Sequence, residues 1–156
     1  FDYSYELQDT LKKRGKKDTL RKIDQLIPNP GEVAYIRQQE AMGLGHAVWC
    51  ARNLIGDEPF AVLLADDLVL SPKSCLQQMV EHYNDVGGNL VAITEVKHEE
   101  TSNYGVIDPS RTEGNLVQAK GIVEKPKPED APSNKAVIGR YILQPTIFDY
   151  LSNLET

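Results

Sequence analysis

Short apolar runs, separated by charged segments and by glycine or proline turns, recur along the chain. Runs of this kind predict strands over 32–38, 60–65, 89–96, 104–108, 116–125 and 136–143. Residues 60–65, FAVLLA, are apolar on both faces, which is typical of a strand in a sheet covered on both sides. Residues 109–115 are rich in turn formers and are predicted to connect two neighbouring strands.

Helical spacing of apolar residues fills most segments between these strands. It predicts helices over 43–55, 71–86 and 145–154, and two short helices within 5–27 that meet near Gly15. Ser71 is the expected N-cap of the helix over 71–86, because Pro72 suits its first position. Helices alternate with strands in the first half and strands dominate the second, which predicts an α/β fold with a mostly parallel sheet and a mixed extension.

Composition narrows the class of function. The 156 residues have a formal net charge of −6, which argues against a sequence-independent grip on nucleic-acid phosphates. No apolar run approaches the ~20 residues that a membrane-spanning helix needs. The two cysteines, Cys50 and Cys75, have no CxxC partner, and the histidines lack zinc-ligand spacing. We therefore expect a cytoplasmic protein with neither a nucleic-acid nor a membrane partner.

The stretch LLADDLVL (63–70) places two adjacent carboxylates, Asp66 and Asp67, where an apolar strand is expected to end. Ligands of open α/β sheets bind beyond the carboxyl ends of strands, and Mg²⁺ takes one or two carboxylates together with substrate phosphates. Neighbouring side chains of an extended chain point to opposite faces, so we expect Asp66 to bind the metal and Asp67 to support it. A strand-end aspartate that caps the following helix explains the pair equally well.

Two other segments bring polar chemistry to predicted strand ends. Gly43 and Gly45 lie between a strand and a helix, where main-chain N–H groups can meet an anion or a base, although a tight turn accounts for them equally well. Glu124 and Lys125 leave an apolar strand together. A glutamate can accept hydrogen bonds from sugar hydroxyls and a lysine suits a phosphate, while a surface ion pair is the alternative.

Four segments together, 37–70, YGVID (104–108), 121–143 and the opening residues 1–16, resemble the sugar-nucleotide pyrophosphorylases, and among them the bacterial UTP–glucose-1-phosphate uridylyltransferases. The resemblance covers essentially the whole chain in motif order and spacing. It implies a Rossmann-like nucleotidyltransferase core, similar to the glycosyltransferase-A fold, with a mixed sheet flanked by helices. It also implies transfer of a uridylyl group from UTP to glucose 1-phosphate, with Mg²⁺ as cofactor and UDP-glucose and pyrophosphate as products.

The resemblance also implies a role for individual positions. The catalytic residues would be Asp66, which holds the metal, and Lys125, which binds the sugar phosphate. The nucleotide would be bound by Gln38 and Gly43 at the uracil and by Asp67 beside the metal ligand. The sugar pocket would be lined by Gly105, Glu124, Val137 and Gly139.

These roles set two geometric conditions. Simple alternation would send Glu124 and Lys125 to opposite faces, so the strand must bend before Pro126 if both are to face one pocket. The side chains of Asp66 and Lys125 must also share a cavity that admits one cation and two phosphate groups.

The resemblance further implies that residues 1–156 are part of a single nucleotidyltransferase domain, without its N-terminal glycine-rich loop and its C-terminal region. We expect these residues alone to be inactive, with apolar surface exposed around 60–65, and the full-length protein to be a homo-oligomer. A pyrophosphorylase for another nucleotide or sugar, such as a thymidylyltransferase, and a non-catalytic nucleotide-sugar-binding domain are the alternatives. A glycosyltransferase fits less well, because Asp66 and Asp67 are adjacent and do not form its D-x-D motif.

Overall fold

The computed structural model describes residues 3–154, apart from the side chain of Leu154. The ends of the predicted 1–156 domain, Phe1, Asp2, Glu155 and Thr156, lie outside the described residues. The chain divides into two compact units, one up to Ala41 and one from Met42 onward. No helix in residues 3–154 is both long and apolar enough to cross a bilayer.

The first unit contains two helices, α1 (Tyr5–Lys13) and α2 (Lys17–Asp24). They meet at Gly15, whose φ of 66° is in the left-handed region that glycine adopts readily, so the predicted helix pair is confirmed. The predicted strand over 32–38 is wrong, because these residues form no regular element. Their apolar side chains stay exposed, Tyr35 by 61%, and alternation stabilises a strand only where one of its faces is buried.

The second unit contains the sheet and the remaining helices. Its strands are β1 (Phe60–Leu63), β2 (Leu90–Glu95), β3 (Gly105–Glu113), β4 (Leu116–Glu124) and β5 (Lys135–Leu143). Its α-helices are α3 (Leu44–Cys50), α4 (Arg52–Ile55), α5 (Cys75–Val86) and α6 (Ile147–Leu154). Two short 3₁₀ helices, His98–Asn103 and Pro128–Asp130, precede β3 and β5. The α/β class predicted from the sequence is confirmed.

Three predicted boundaries are corrected by the structure. The helix over 43–55 is broken at Ala51 into α3 and α4. The helix predicted from Ser71 begins at Cys75, because the N-cap is Ser74, whose hydroxyl accepts a hydrogen bond from the Gln77 N–H at 3.2 Å. The turn predicted over 109–115 is shorter, since β3 continues to Glu113.

All strand pairs of the described residues are antiparallel, so the expectation of a mostly parallel sheet is wrong. Tyr141 of β5 pairs with Val62 of β1 and with Val91 of β2. Further along β5, Ala136 pairs with β2 and with Val106 of β3. Because the two ladder partners of one residue lie on opposite sides of it, β2 follows one edge of β5, while β1 and β3 follow one another along the other edge.

The core of this unit lies where β3 and β5 pair and where α5 and α6 pack on the sheet. Its buried apolar side chains are Met79, Val106, Ile107, Ala136, Ile142 and Phe148. Phe60 and Phe148 stack with ring centroids 5.1 Å apart, which holds α6 against the start of β1. The other end of β1 is less covered, since Leu63 is 51% exposed. The expectation that residues 60–65 are covered on both faces is therefore not met within residues 3–154.

Candidate functional site

A fork in the sheet positions the candidate site. Along one edge of β5, the last residue of β1 pairs with Arg140, and Val106, the second residue of β3, pairs with Ala136. The segment of β5 between Ala136 and Arg140 therefore lies beside both the end of β1 and the start of β3. Three predicted site residues belong to the segments around this opening between β1 and β3. Asp66 follows β1, Gly105 begins β3, and Val137 is in β5. We name this region the strand fork, comprising residues 64–67, 104–105, 124–125 and 137–141.

The end of β1 turns sharply instead of continuing as a strand to Ala65. The Leu64 N–H donates to the Gly139 carbonyl at 2.9 Å, and the Asp67 N–H then donates back to the Leu64 carbonyl at 3.4 Å. Ala65 and Asp66 are the two central residues of this turn. The two aspartates thus lie within one turn. Their roles had been assigned on the premise that they alternate along an extended chain, and that premise does not hold here.

Asp67 is tied to the sheet. Its Oδ2 atom accepts a hydrogen bond from the Gly139 N–H at 2.7 Å. A Cβ at Gly139 would lie 2.6 Å from that oxygen and 2.6 Å from Leu64 Cβ, so only glycine allows this close approach. The structure therefore ties the Asp67 side chain to β5, while its role beside the metal ligand stays a prediction, and it gives Gly139 a packing role in addition to its predicted place in the sugar pocket.

Asp66 has a different environment, because its side chain is exposed at the tip of the turn. Residues 3–154 hold no group of three or more His, Cys, Asp or Glu side chains that could form an all-protein metal site. An exposed single carboxylate still fits Mg²⁺, which retains several waters and completes its shell with substrate phosphates. The donor set suits a metal that arrives with a nucleotide.

The end of β4 brings three predicted sugar-binding residues together. Gly105 pairs directly with Glu124 in the β3–β4 ladder. A Cβ at Gly105 would lie 3.1 Å from the Glu124 Oε2 and 4.0 Å from the Val137 Cβ. Glycine thus leaves the space in which the Glu124 carboxylate lies against the main chain of β3.

Lys125 departs from regular strand geometry immediately after Glu124. Its φ is 45°, and within residues 3–154 it is the one non-glycine residue with a positive φ. Its N–H donates to the Tyr104 carbonyl at 3.0 Å, and the following Pro126 is buried. The predicted bend before Pro126 is therefore present, and a left-handed residue breaks the alternation that would send adjacent side chains to opposite faces.

The phenol of Tyr141 is influenced by one carboxylate from each strand end of the strand fork, Asp67 after β1 and Glu124 at the end of β4. Burial raises the pKa of its phenol, and the carboxylates of Asp67 and Glu124 raise the pKa further. Both carboxylates are therefore close enough to disfavour a phenolate at this position. Tyr141 also lines an apolar cavity of about 350 Å³ together with side chains of α3 and α6.

The glycine-rich segment before α3 has two separate functions in the fold. Gly43 is the N-cap of α3 with a φ of 91°, a conformation that side chains other than glycine rarely adopt. Gly45 lets α3 approach α6, since a Cβ there would lie 3.1 Å from the Leu151 side chain. Gln38 belongs to the first unit and is half-buried. The uracil contacts of Gln38 and Gly43 stay predictions.

Sequence reasoning missed two residues of the fork, Arg140 and Tyr141. Arg140 is only 9% exposed and donates hydrogen bonds to the carbonyls of Leu64, Gly139 and Asp67. Both residues belong to AVIGRYIL, a predicted strand in which only Val137 and Gly139 were given a role in the site. The available signal was a charged residue inside an otherwise apolar strand, because such a residue is seldom buried without a specific set of partners.

A family model described as nucleotidyl transferase matches residues 6–156. A UTP–glucose-1-phosphate uridylyltransferase of Komagataeibacter xylinus is 48% identical over 99% of this chain and 55% of its own length. The enzyme of the same name from Bacillus subtilis strain 168 is 49% identical over 97% of this chain and 51% of its own length. The chain thus spans about half the length of the curated relatives that it matches.

Solved structures agree with these relatives. A UDP-glucose pyrophosphorylase from Acinetobacter baumannii superposes with a TM-score of 0.86 at 37% identity, covering 98% of this chain and 55% of that one. A UDP-glucose pyrophosphorylase complexed with UDP-glucose superposes with a TM-score of 0.78 at 45% identity, covering 97% of this chain and 55% of that one.

Proposed function

Because the chain belongs to the nucleotidyl transferase family, we propose that it forms the central part of a UTP–glucose-1-phosphate uridylyltransferase domain. The observation that supports this most strongly is the convergence of separate motifs on β5. Asp67 binds Gly139, and Glu124 lies against Gly105 beside Val137. The identity of 48% to 49% with uridylyltransferases over nearly the whole chain favours uracil over other bases.

The reaction that we propose is an in-line displacement at phosphorus. A phosphate oxygen of glucose 1-phosphate attacks the α-phosphorus of UTP, forming the new P–O bond. The bond from the α-phosphorus to the bridging oxygen breaks, and pyrophosphate leaves with that electron pair. Two polyanions must be brought together, so the protein contributes mainly positioning and charge neutralisation.

On the sugar side, Lys125 holds the phosphate of glucose 1-phosphate and offsets the repulsion between the two substrates. Glu124 accepts hydrogen bonds from hexose hydroxyls, because its carboxylate lies at the edge of the space left by Gly105. Gly105 and Val137 line the sugar pocket. Gly139, whose N–H and carbonyl are already hydrogen-bonded, shapes the floor of that pocket instead of donating to the sugar.

On the nucleotide side, Gln38 and Gly43 contact the uracil, and Asp66 would hold Mg²⁺. When bound, the metal supplies charge neutralisation and orients the α-phosphate. Asp67 keeps the turn that presents Asp66 in place through its bond to Gly139. A cytoplasmic location and a homo-oligomeric full-length protein accompany this proposal as predictions of the family resemblance.

The test uses the full-length gene product. We expect Mg²⁺-dependent release of pyrophosphate from UTP and glucose 1-phosphate, with UDP-glucose as the second product by chromatography. Replacing UTP by dTTP, or glucose 1-phosphate by another hexose phosphate, tests the rival substrates in the same assay. Binding of UDP-glucose without any pyrophosphate release would instead support a non-catalytic nucleotide-sugar-binding domain.

A further inference from the structure

We propose that Arg140 is the positioning residue for the metal ligand Asp66, an inference that rests on the proposed function. Arg140 lies in β5 directly opposite Leu63, the last residue of β1. The turn that carries Asp66 begins immediately beyond that pair. Arg140 is therefore placed to control the turn without reaching the metal itself.

Arg140 donates hydrogen bonds to main-chain carbonyls on both sides of Asp66 in the turn. One guanidinium nitrogen donates to the Leu64 carbonyl at 2.9 Å and to the Gly139 carbonyl at 2.7 Å. The other donates to the Asp67 carbonyl. The first and last carbonyls of the four-residue turn are thus held by one planar group, and only Ala65 and Asp66 lie between them.

A buried guanidinium is not the natural filler for this position. Arg140 is 9% exposed, and within residues 3–154 its partners are main-chain carbonyls only. Burying a charge without an ion pair costs free energy, and an apolar side chain of similar size would avoid that cost. Arginine offers five donors in a rigid fork, whereas lysine has a single rotatable ammonium. The planar guanidinium, with donors on two nitrogens, is what the three carbonyls require.

A second contact restrains the same turn from the same strand. The Gly139 N–H binds the Asp67 carboxylate at 2.7 Å, so neighbouring residues of β5 hold the main chain and the side chain of Asp67. Asp66 is then the one acidic residue of the turn with a side chain directed to solvent. Groups that orient a metal ligand in this way set metal affinity without touching the ion.

The test uses the Arg140→Lys variant of the protein as its gene encodes it, with Arg111→Lys as the matched control. Arg111 is also in a strand, but it is exposed and pairs with Glu113 at 3.2 Å. Mn²⁺ affinity is measured by electron paramagnetic resonance in the presence of UDP-glucose, and UDP-glucose affinity by calorimetry in EDTA. We expect R140K to weaken Mn²⁺ binding about tenfold or more with unchanged UDP-glucose affinity in EDTA. R111K should alter neither.

Several results would overturn the inference. Unchanged Mn²⁺ affinity of R140K would do so, and so would an equal loss of UDP-glucose affinity in EDTA. An Arg140→Gln variant is made in parallel, and if circular dichroism shows both variants unfolded, Arg140 stabilises the fold and does not position a ligand. A wild-type protein that binds neither Mn²⁺ nor UDP-glucose contradicts the proposed function itself. Wild-type binding of both, with R140K unaffected, contradicts the role of Arg140 alone.

Discussion

Two adjacent charged residues lie at or just beyond the end of each of the strands β1 and β4, and the local main-chain geometry differs between the two ends. After β1, Asp66 and Asp67 both lie within a four-residue turn, and of their two side chains only that of Asp67 is hydrogen-bonded to β5. After β4, no turn intervenes, and the left-handed conformation of Lys125 changes the direction of the chain within one residue. At the first end, one carboxylate is hydrogen-bonded to β5 and the other is exposed. The second carries unlike charges and breaks the strand alternation at Lys125.

The comparison shows why a charged dipeptide at a strand end is ambiguous. Two neighbouring carboxylates repel each other, and at the end of β1 one of them, Asp67, is hydrogen-bonded to β5 while the other is exposed. A carboxylate and an ammonium have no such conflict. Residue types alone therefore do not reveal the local main-chain geometry, and the partners that each end finds in β3 and β5 decide it.

The largest expected effect is that of Asp66→Asn on the exposed residue of the first end. If Asp66 holds the metal, the variant loses several kcal/mol of transition-state stabilisation, which is about a thousandfold or more in kcat/KM. Steady-state kinetics at varied Mg²⁺ measures it, with Asp57→Asn as a control at an exposed aspartate before β1. An unchanged metal titration would remove Asp66 from the site.

The second end is tested by Lys125→Ala. If Lys125 binds the sugar phosphate, loss of its ammonium should lower kcat/KM by roughly a hundredfold or more, chiefly through glucose 1-phosphate. Lys127→Ala is the matched control, because Lys127 is an exposed lysine two residues further along. Near-normal turnover of the Lys125 variant would mean that the left-handed residue serves only the chain reversal.

The difference in anchoring predicts a difference in stability between two glycine substitutions. In Gly139→Ala, the new Cβ would lie 2.6 Å from Asp67 and Leu64 atoms, so we expect a loss of about 1–3 kcal/mol in the free energy of unfolding. Gly121→Ala in β4 is the control, since a Cβ there would have nothing within 4 Å. Urea denaturation measures both. Equal stabilities would show that the turn after β1 can shift freely.

The smallest effect concerns Tyr141, which is influenced by the carboxylates of both ends. Its pKa is raised above the ordinary value of 10.0, first by burial and then by Asp67 and Glu124. Because the pKa is raised in the folded state, the contribution of the Tyr141 phenol to the free energy of unfolding is fully present below pH ~10. It is lost as the pH rises through the pKa of the folded state. Tyr141→Phe should therefore lose less stability than the wild type above that pH.

Chemical denaturation at neutral and alkaline pH measures the contribution of Tyr141. Tyr150→Phe is the control, because Tyr150 is 70% exposed. Parallel alkaline destabilisation of wild type and Tyr141→Phe would indicate that the two strand ends do not meet electrostatically at this phenol.

Much of the second unit was predictable from local pattern. The apolar runs located all five strands, and FAVLLADD placed the carboxylates close to the end of one of them. Burial of one or both faces leaves a direct trace in the order of apolar residues, so element type can be read locally. The bend at Lys125 was predictable for another reason, because two neighbouring residues were required at one pocket.

The sequence by itself determined the approximate positions of the five strands and of most helices, the two charged strand ends and the family resemblance. Only the tertiary structure decided that the strands pair antiparallel, that β1 and β3 share one edge of β5, and that Arg140 holds the turn below Asp66. The physical reason is that apolar patterning records whether a face is buried but not which strand lies beside it. The pairing of β1 with β5 and the carbonyl-bound guanidinium depend on residues more than seventy positions apart, as Arg140 is from Leu64 and Asp67.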